Sequence, residues 1–286
     1  MFPEKLRIPL GDWVNRAIEW LVATHGESFD AFAGALLSVL VALEQGLRGL
    51  PWWSVILAVG LLGLAATRAP LKALGLMAAM FVIGLFGLWD LAMQTLAIVA
   101  VAILICVAIG VPLGILISFS RRLRTLVLPL LDVMQTMPSF VYLIPALMLF
   151  GLGKVPAILA TVIYATPPLV RLTDLGIRLV DEDVAEAAEA FGANRWQKLV
   201  GVQLPLALPN IMQGVNQTTM MALAMVVIAS MIGARGLGQE VLLGIQRLDF
   251  GRGAEAGLAI VALAIVFDRI TQAFALSDRG GRRPAG

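Results

Sequence analysis

The stretch DEDVAEAAEAFGANRWQKLVGVQLP, residues 181–205, is a polar interruption between two strongly apolar segments. Its spacing predicts two short helices joined by a glycine. Asp183-Val184-Ala185-Glu186 has the form of a capping box, in which the Asp183 carboxylate accepts from the amide of residue 186 and Glu186 reaches back to the amide of residue 183. Ala185, Ala187, Ala188 and Ala190 then extend a helix at little entropic cost. Gly192 ends it, since the residue just beyond a helix often takes a left-handed backbone that glycine adopts most cheaply. Asn194-Arg195-Trp196-Gln197 repeats the capping pattern and opens a second helix, expected to stop before Pro205. The expected product is a stiff elbow with a small, alanine-lined face.

Outward from this elbow the chain is 59% hydrophobic and 14% charged, with a mean hydropathy of +0.90. A soluble domain needs charge to cover its outside, whereas a chain solvated by lipid can be apolar all round its helices. The balance predicts an all-α polytopic membrane protein and excludes fibrous and disordered classes. A crossing helix needs about 20 mostly apolar residues. Charge-free windows place spans at Leu91–Ser120 and Leu206–Ala234, with shorter ones at Pro51–Thr67, Ala73–Trp89, Val133–Gly153 and Val155–Val170. A seventh, Ala256–Ala275, is interrupted by Asp268 and Arg269.

Residues 1–50 are expected to form an extracytoplasmic tail. Within it, Phe32–Leu43 lies between Asp30 and Glu44 and is too short to cross, which predicts a short amphipathic, interfacial helix. The opening residues run into Pro9, Gly11 and Asp12 and lack the apolar core of a secretory signal. Residues 51–275 make the transmembrane domain and 276–286 a polar tail. One set of loops holds Arg68, Lys72, Arg121, Arg122, Arg124, Arg171, Arg178, Arg195, Lys198, Arg279, Arg282 and Arg283, and the other holds Lys154, Arg235, Arg247 and Arg252. Twelve cations against four place the elbow and the C-terminus in the cytoplasm, and Lys5, Arg7, Arg16 and Arg48 of the tail narrow this to twelve against eight. Trp52 and Trp53 at the outer start of the first span fit an aromatic anchor.

The chemistry-bearing residues are few. Cys106 is the single cysteine and lies within a span, and His25 is the single histidine, so neither a disulfide framework, a metal site nor a histidine-based triad is supported. A net charge of +2, with arginines explained by topology, gives no support to nucleic-acid binding. The nearest string to a phosphate-cradling loop, Gly151-Leu152-Gly153-Lys154-Val155, lacks the hydroxyl and the preceding glycine. Nucleotide chemistry, if it drives this protein, happens on another polypeptide.

The full spacing of the elbow is Glu186-Ala187-Ala188, three residues, Gly192, nine residues, then Val202, one residue, Leu204-Pro205. This pattern resembles the coupling loop of the membrane subunits of bacterial ATP-driven importers, with Val202 where isoleucine is more usual. Leu131-Asp132-Val133-Met134-Gln135-Thr136-Met137-Pro138, Thr166-Pro167-Pro168-Leu169-Val170-Arg171, Asn216-Gln217-Thr218-Thr219-Met220-Met221 and Met231-Ile232-Gly233-Ala234-Arg235-Gly236-Leu237-Gly238 narrow the likeness to permeases for glycine betaine, proline betaine and choline, over roughly Trp89 to Ala275. The resemblance implies the importer-permease (MetI-like) helix bundle in a bacterial inner membrane. It also implies ATP and magnesium on a partner ATPase that grips the elbow, a separate extracytoplasmic binding protein, and a second copy of the chain.

Quaternary ammonium cations are held by aromatic faces. The tryptophans Trp13, Trp20, Trp52, Trp53, Trp89 and Trp196 all fall outside mid-membrane positions, so no aromatic cage is expected within the spans. Polar groups at membrane depth mark a path or interhelical contacts. Gln135, Thr136 and Ser139 in one span, and Asn216, Gln217 and Thr218 in another, are the candidates, with Met220 beside them. The competing readings are an importer of another small solute, an ion-driven carrier or channel, and a membrane enzyme. A carrier usually places a carboxylate in the membrane, and the deep spans offer only Asp268.

Overall fold

The structure, a computed structural model, describes residues 9–277. Every regular element among the described residues is helical. The order is α1 (Leu10–Gly49), α2 (Trp52–Thr67), α3 (Pro70–Leu85), α4 (Trp89–Phe119), α5 (Arg121–Thr136), α6 (Leu143–Phe150), α7 (Lys154–Arg178), α8 (Glu182–Ala190), α9 (Arg195–Lys198), α10 (Leu204–Ala229), α11 (Leu237–Arg247) and α12 (Phe250–Ser277).

The centre is a trio of α4, α7 and α10, and the chain brings these helices together through glycines. A Cβ on Gly114 would lie 2.5 Å from the Thr173 Cβ, one on Gly176 would lie 2.8 Å from the Asn210 Cβ, and one on Gly214 would lie 3.0 Å from Leu169. Small residues at these crossings let backbones approach closely, which matters in lipid because helix association there depends on contact rather than on a hydrophobic drive. Ile98, Ala102, Ile158, Ala165, Leu169 and Leu223 fill the space between them. Bonds across the trio add direction: the Thr218 hydroxyl donates to the Ala165 carbonyl at 2.8 Å.

Among the described residues, five helices are long and apolar enough to cross a membrane, namely α1, α4, α7, the stretch Arg195–Ile232 containing α10, and α12. Four of these match expected spans. Three features depart from the expectation. First, Val133–Gly153 is not one straight helix: α5 and the segment Ser139–Phe150 meet at 107°. Pro138 has no amide to give and disfavours helical backbone in the residue before it, and Met137 accordingly takes ψ 136°. Second, α2 and α3 are only 16 residues each, about 24 Å long, so the two short spans expected there fall below the roughly 30 Å of a hydrocarbon core. They form a tight hairpin, turned by Arg68 in a left-handed conformation and by Pro70 at the start of α3.

Third, the expected short interfacial helix over Phe32–Leu43 is part of one 40-residue helix, kinked at His25. Glu44 ends no helix. It is 7% exposed and forms an ion pair with Lys154 at the start of α7, while Arg48 reaches both Glu44 (3.7 Å) and Asp90 on α4 (3.1 Å). The charge that looks like a boundary is neutralised by a residue 110 positions away. This cluster lies at the start of α7, so the 25 residues of α7, about 37 Å, separate it from the elbow. Of the polar tail 276–286, the first two residues continue α12 and the rest lie outside the described residues.

Candidate functional site

The elbow connects α7 to α10. Its first helix, α8, is capped by Asp181, whose side chain accepts from the Asp183 amide at 3.0 Å. The expected cap was Asp183. Two aspartates two residues apart fit the pattern equally well, and the chain uses the earlier one, leaving Asp183 and Glu182 in the first turn, where negative charge faces the positive end of the helix. Glu186 is thereby released from capping. Among the described residues no hydrogen bond or ion pair holds it, and it is exposed together with Ala187, while Ala188 is half-buried.

The helix stops as expected at Gly192, with φ +85°. The Gly192 amide donates to the Glu189 carbonyl at 2.8 Å and the Ala193 amide to the Ala188 carbonyl at 3.0 Å. This paired closure satisfies the carbonyls at the end of the helix and fixes the exit angle. Asn194 then caps α9 reciprocally: its side chain accepts from the Gln197 amide at 2.8 Å, and Gln197 accepts from the Asn194 amide at 2.9 Å. Lys198 donates to Glu189 and clips the two helices together.

That hydrogen bond, and then the charge of Lys198, holds the Glu189 carboxyl below its ordinary range. A carboxyl depressed in the folded state contributes stability above its unfolded value and loses it as pH falls through the depressed range. Acidification is therefore expected to loosen the elbow. Protection of the amides of residues 192–198, taken relative to intrinsic exchange at each pH, should fall on acidification in the native chain, and already be low and far less pH-dependent in Glu189→Gln.

The second helix does not end before Pro205. Residues Leu199–Gln203 form a wide π turn, closed by the Leu204 amide donating to the Leu199 carbonyl five residues back, and α10 follows without a break. Pro205 explains the widening, since it has no amide and its ring clashes with the carbonyl four residues earlier. Leu199 is buried against Ile177, Ala207 and Ile211, while Val202, Leu204 and Pro205 are half-buried. The Val202–Pro205 end of the motif anchors the elbow to the bundle, and the Glu186–Gly192 end is presented outward. Two residues missed in the sequence belong to the presented surface: Phe191 is 94% exposed and Trp196 is 71% exposed. No local pattern distinguishes an exposed aromatic from a buried one.

The expected path residues separate into two groups. Asn216 and Thr218 bind neighbouring helices: the Asn216 amide donates to Asp268 of α12 at 2.9 Å, Thr271 donates to Asn216 at 3.1 Å, and Thr218 is tied to α7. Gln217 and Met220 are exposed on α10, in register with Gln213 and Ala224 at spacings of four, three and four, which is one face of the helix. Gln135 and Thr136 are exposed at the end of α5, and Ser139 is half-buried in the turn after Pro138. Gln213 was missed, although its i,i+4 relation to Gln217 inside a charge-free run is a readable signal.

Residues 110–277, more than half of the chain and including the whole elbow, match the family model described as "Binding-protein-dependent transport system inner membrane component". The chain belongs to this family of inner-membrane components. Among its relatives, the glycine betaine/proline betaine transport system permease protein ProW of Escherichia coli (strain K12) is 47% identical over 281 residues, covering 98% of this chain and 79% of the relative. The glycine betaine transport system permease protein OpuAB of Bacillus subtilis (strain 168) is 46% identical over 269 residues, covering 93% and 94%. The MetNI methionine ABC transporter in an inward facing crystal form superposes with a TM-score of 0.58 at 23% identity, over 68% of this chain and 96% of that one. That likeness establishes the shared MetI-like helix bundle of this inner-membrane component. Helices α1 to α3 lie ahead of the matched family region.

Proposed function

We propose that this chain is the transmembrane permease subunit of an ATP-driven importer for quaternary ammonium osmoprotectants, with glycine betaine or proline betaine as cargo and choline within the same class. The observation that carries this reading is near-full-length similarity to two glycine betaine permeases. In this reading the chain holds no catalytic residue and no cofactor, and ATP and magnesium reside on a partner ATPase that docks on Glu186, Ala187, Ala188, Gly192 and Phe191. An extracytoplasmic binding protein delivers cargo to the opposite end. Two copies enclose the path, each contributing the Gln213, Gln217 and Met220 face of α10, because amides exposed at membrane depth are costly against lipid.

The elbow and the C-terminus lie in the cytoplasm of a bacterial cell, with the protein spanning its inner membrane. A crossing α1 keeps this orientation: Lys5, Arg7 and Arg16 then count with the cytoplasmic set, and with Arg68 and Lys72 of the short α2–α3 hairpin counted outside, the balance of cations is thirteen against seven.

A second reading, another small solute, has a specific candidate. The trimethylamine N-oxide transport system permease protein TmoV of Pelagibacter ubique (strain HTCC1062) is 39% identical over 231 residues. Uptake of labelled glycine betaine and of trimethylamine N-oxide into proteoliposomes holding the permease, its ATPase and its binding protein tests both. ATP-dependent uptake of the betaine is the expected result. Uptake driven by an ion gradient without the ATPase would overturn the importer reading in favour of a carrier.

A further inference from the structure

At the end of the bundle away from the elbow, α2, α3 and the start of α4 enclose an apolar groove of about 370 Å³, lined by Trp52, Ile56, Phe81, Gly84, Leu85 and Trp89. Its volume falls within the range of small-molecule pockets, about 300–1,000 Å³. Half of these lining residues are aromatic in a chain that is 7% aromatic. The Trp52 and Phe81 rings lie 6.3 Å apart with planes inclined at 49°, so they open as a wedge. Trp89 closes the third side: a Cβ on Gly84 would lie 3.8 Å from its indole, and the absence of a side chain there keeps the groove open. Trp52 and Phe81 are about half exposed, which leaves their faces accessible. One residue beyond Trp89, Asp90 pairs with Arg48 at 3.1 Å, and neither of the two lines the groove.

An interfacial aromatic belt accounts for Trp52 and Trp89 one at a time. It does not account for three rings converging on an unfilled volume. A trimethylammonium group is apolar in surface and cationic in charge, and aromatic faces that lie within about 6 Å of the cation satisfy both properties.

We propose that the groove of Trp52, Phe81 and Trp89 is a binding site for the trimethylammonium group of a small free solute. The choice of solute rests on the cargo reading above; the geometry stands apart from it. The site takes the cation in the mouth of the wedge, against the ring faces.

The test uses the full chain in nanodiscs of phosphatidylethanolamine and phosphatidylglycerol, which carry no choline headgroup. Saturation transfer from protein to the methyl protons of choline should be saturable and displaced by glycine betaine. Phe81→Leu and Trp52→Leu should each weaken binding by about fivefold, the loss of one ring contact, whereas Phe81→Tyr should leave it unchanged. Both positions are exposed, so these variants leave the core intact. The neutral isostere dimethylbutanol should bind at least about fivefold more weakly than choline. Equal binding of the neutral isostere, undiminished binding in the leucine variants, or no saturable choline signal would each overturn the proposal. Selective retention of phosphatidylcholine when that lipid is added to the nanodiscs, with no free-choline signal, would overturn it in favour of a lipid site. The outcome is separable from the transport reading: an assembled complex that fails to import betaine leaves a positive binding result standing, and a complex that imports normally does not rescue a negative one.

Discussion

Gly192→Asp is expected to insert and accumulate like the native chain and to lose betaine uptake by on the order of a hundredfold. The fold tolerates the change because nothing lies within 4 Å of a Cβ built at Gly192, and aspartate is among the residues best suited to a left-handed backbone. The backbone cost is about 1 kcal/mol. The same open space is where the proposed ATPase closes over the elbow, next to the exposed Phe191. A charge buried there without a partner costs about 2–5 kcal/mol of association, and each 1.4 kcal/mol is about tenfold. Copurification of the ATPase should fall in parallel with uptake. Gly192→Ala, which adds strain without charge, should show a much smaller loss. Native uptake and ATPase capture by Gly192→Asp would count against the docking role.

Lys154→Met is expected to destabilise the bundle by about 3 kcal/mol, because it leaves the Glu44 carboxylate buried without its closest partner. The figure sits at the lower end for such breaks, since Arg48 remains 3.7 Å from Glu44. Adding Glu44→Gln to Lys154→Met should recover most of the loss by removing the stranded charge. Thermal unfolding in detergent, compared across the native chain, the single and the double variant, reads the coupling directly. A double variant no more stable than the single one would show that the pair does not hold α1 to the bundle.

The parts of the fold that were legible are those whose signal is local. The α4 and α7 spans announce themselves as charge-free runs, and the Gly192 stop and the Asn194–Gln197 cap are short-range patterns with a single physical solution. What was not legible depends on partners far along the chain. Glu44 marks the end of an apolar run to any local window, and only Lys154 converts it into a buried helical position. The break at Pro138 was visible as a proline but not as a 107° turn, whose angle is set by the helices around it. In the site, Glu186 and Gly192 were readable from spacing. The choice of Asp181 over Asp183 was degenerate in the pattern, and the exposure of Phe191 and Trp196 is decided by the absence of neighbours, which a sequence does not record. Asn216 looked like a path residue because a polar side chain at membrane depth has the same signature whether it faces water or Asp268.

The wide turn at Leu199–Gln203 has an effect on everything after it. One additional residue in a helix rotates the downstream part by about 100° about the axis. The turn therefore sets the rotational phase between Trp196 and the Gln213–Gln217 stripe: with a plain α-helical ladder through this point, both glutamines would be dialled into the packed interior and buried side chains would swing out in their place. The shape of one proline-induced turn thus determines which side of a 26-residue rod is left uncovered by the rest of the chain.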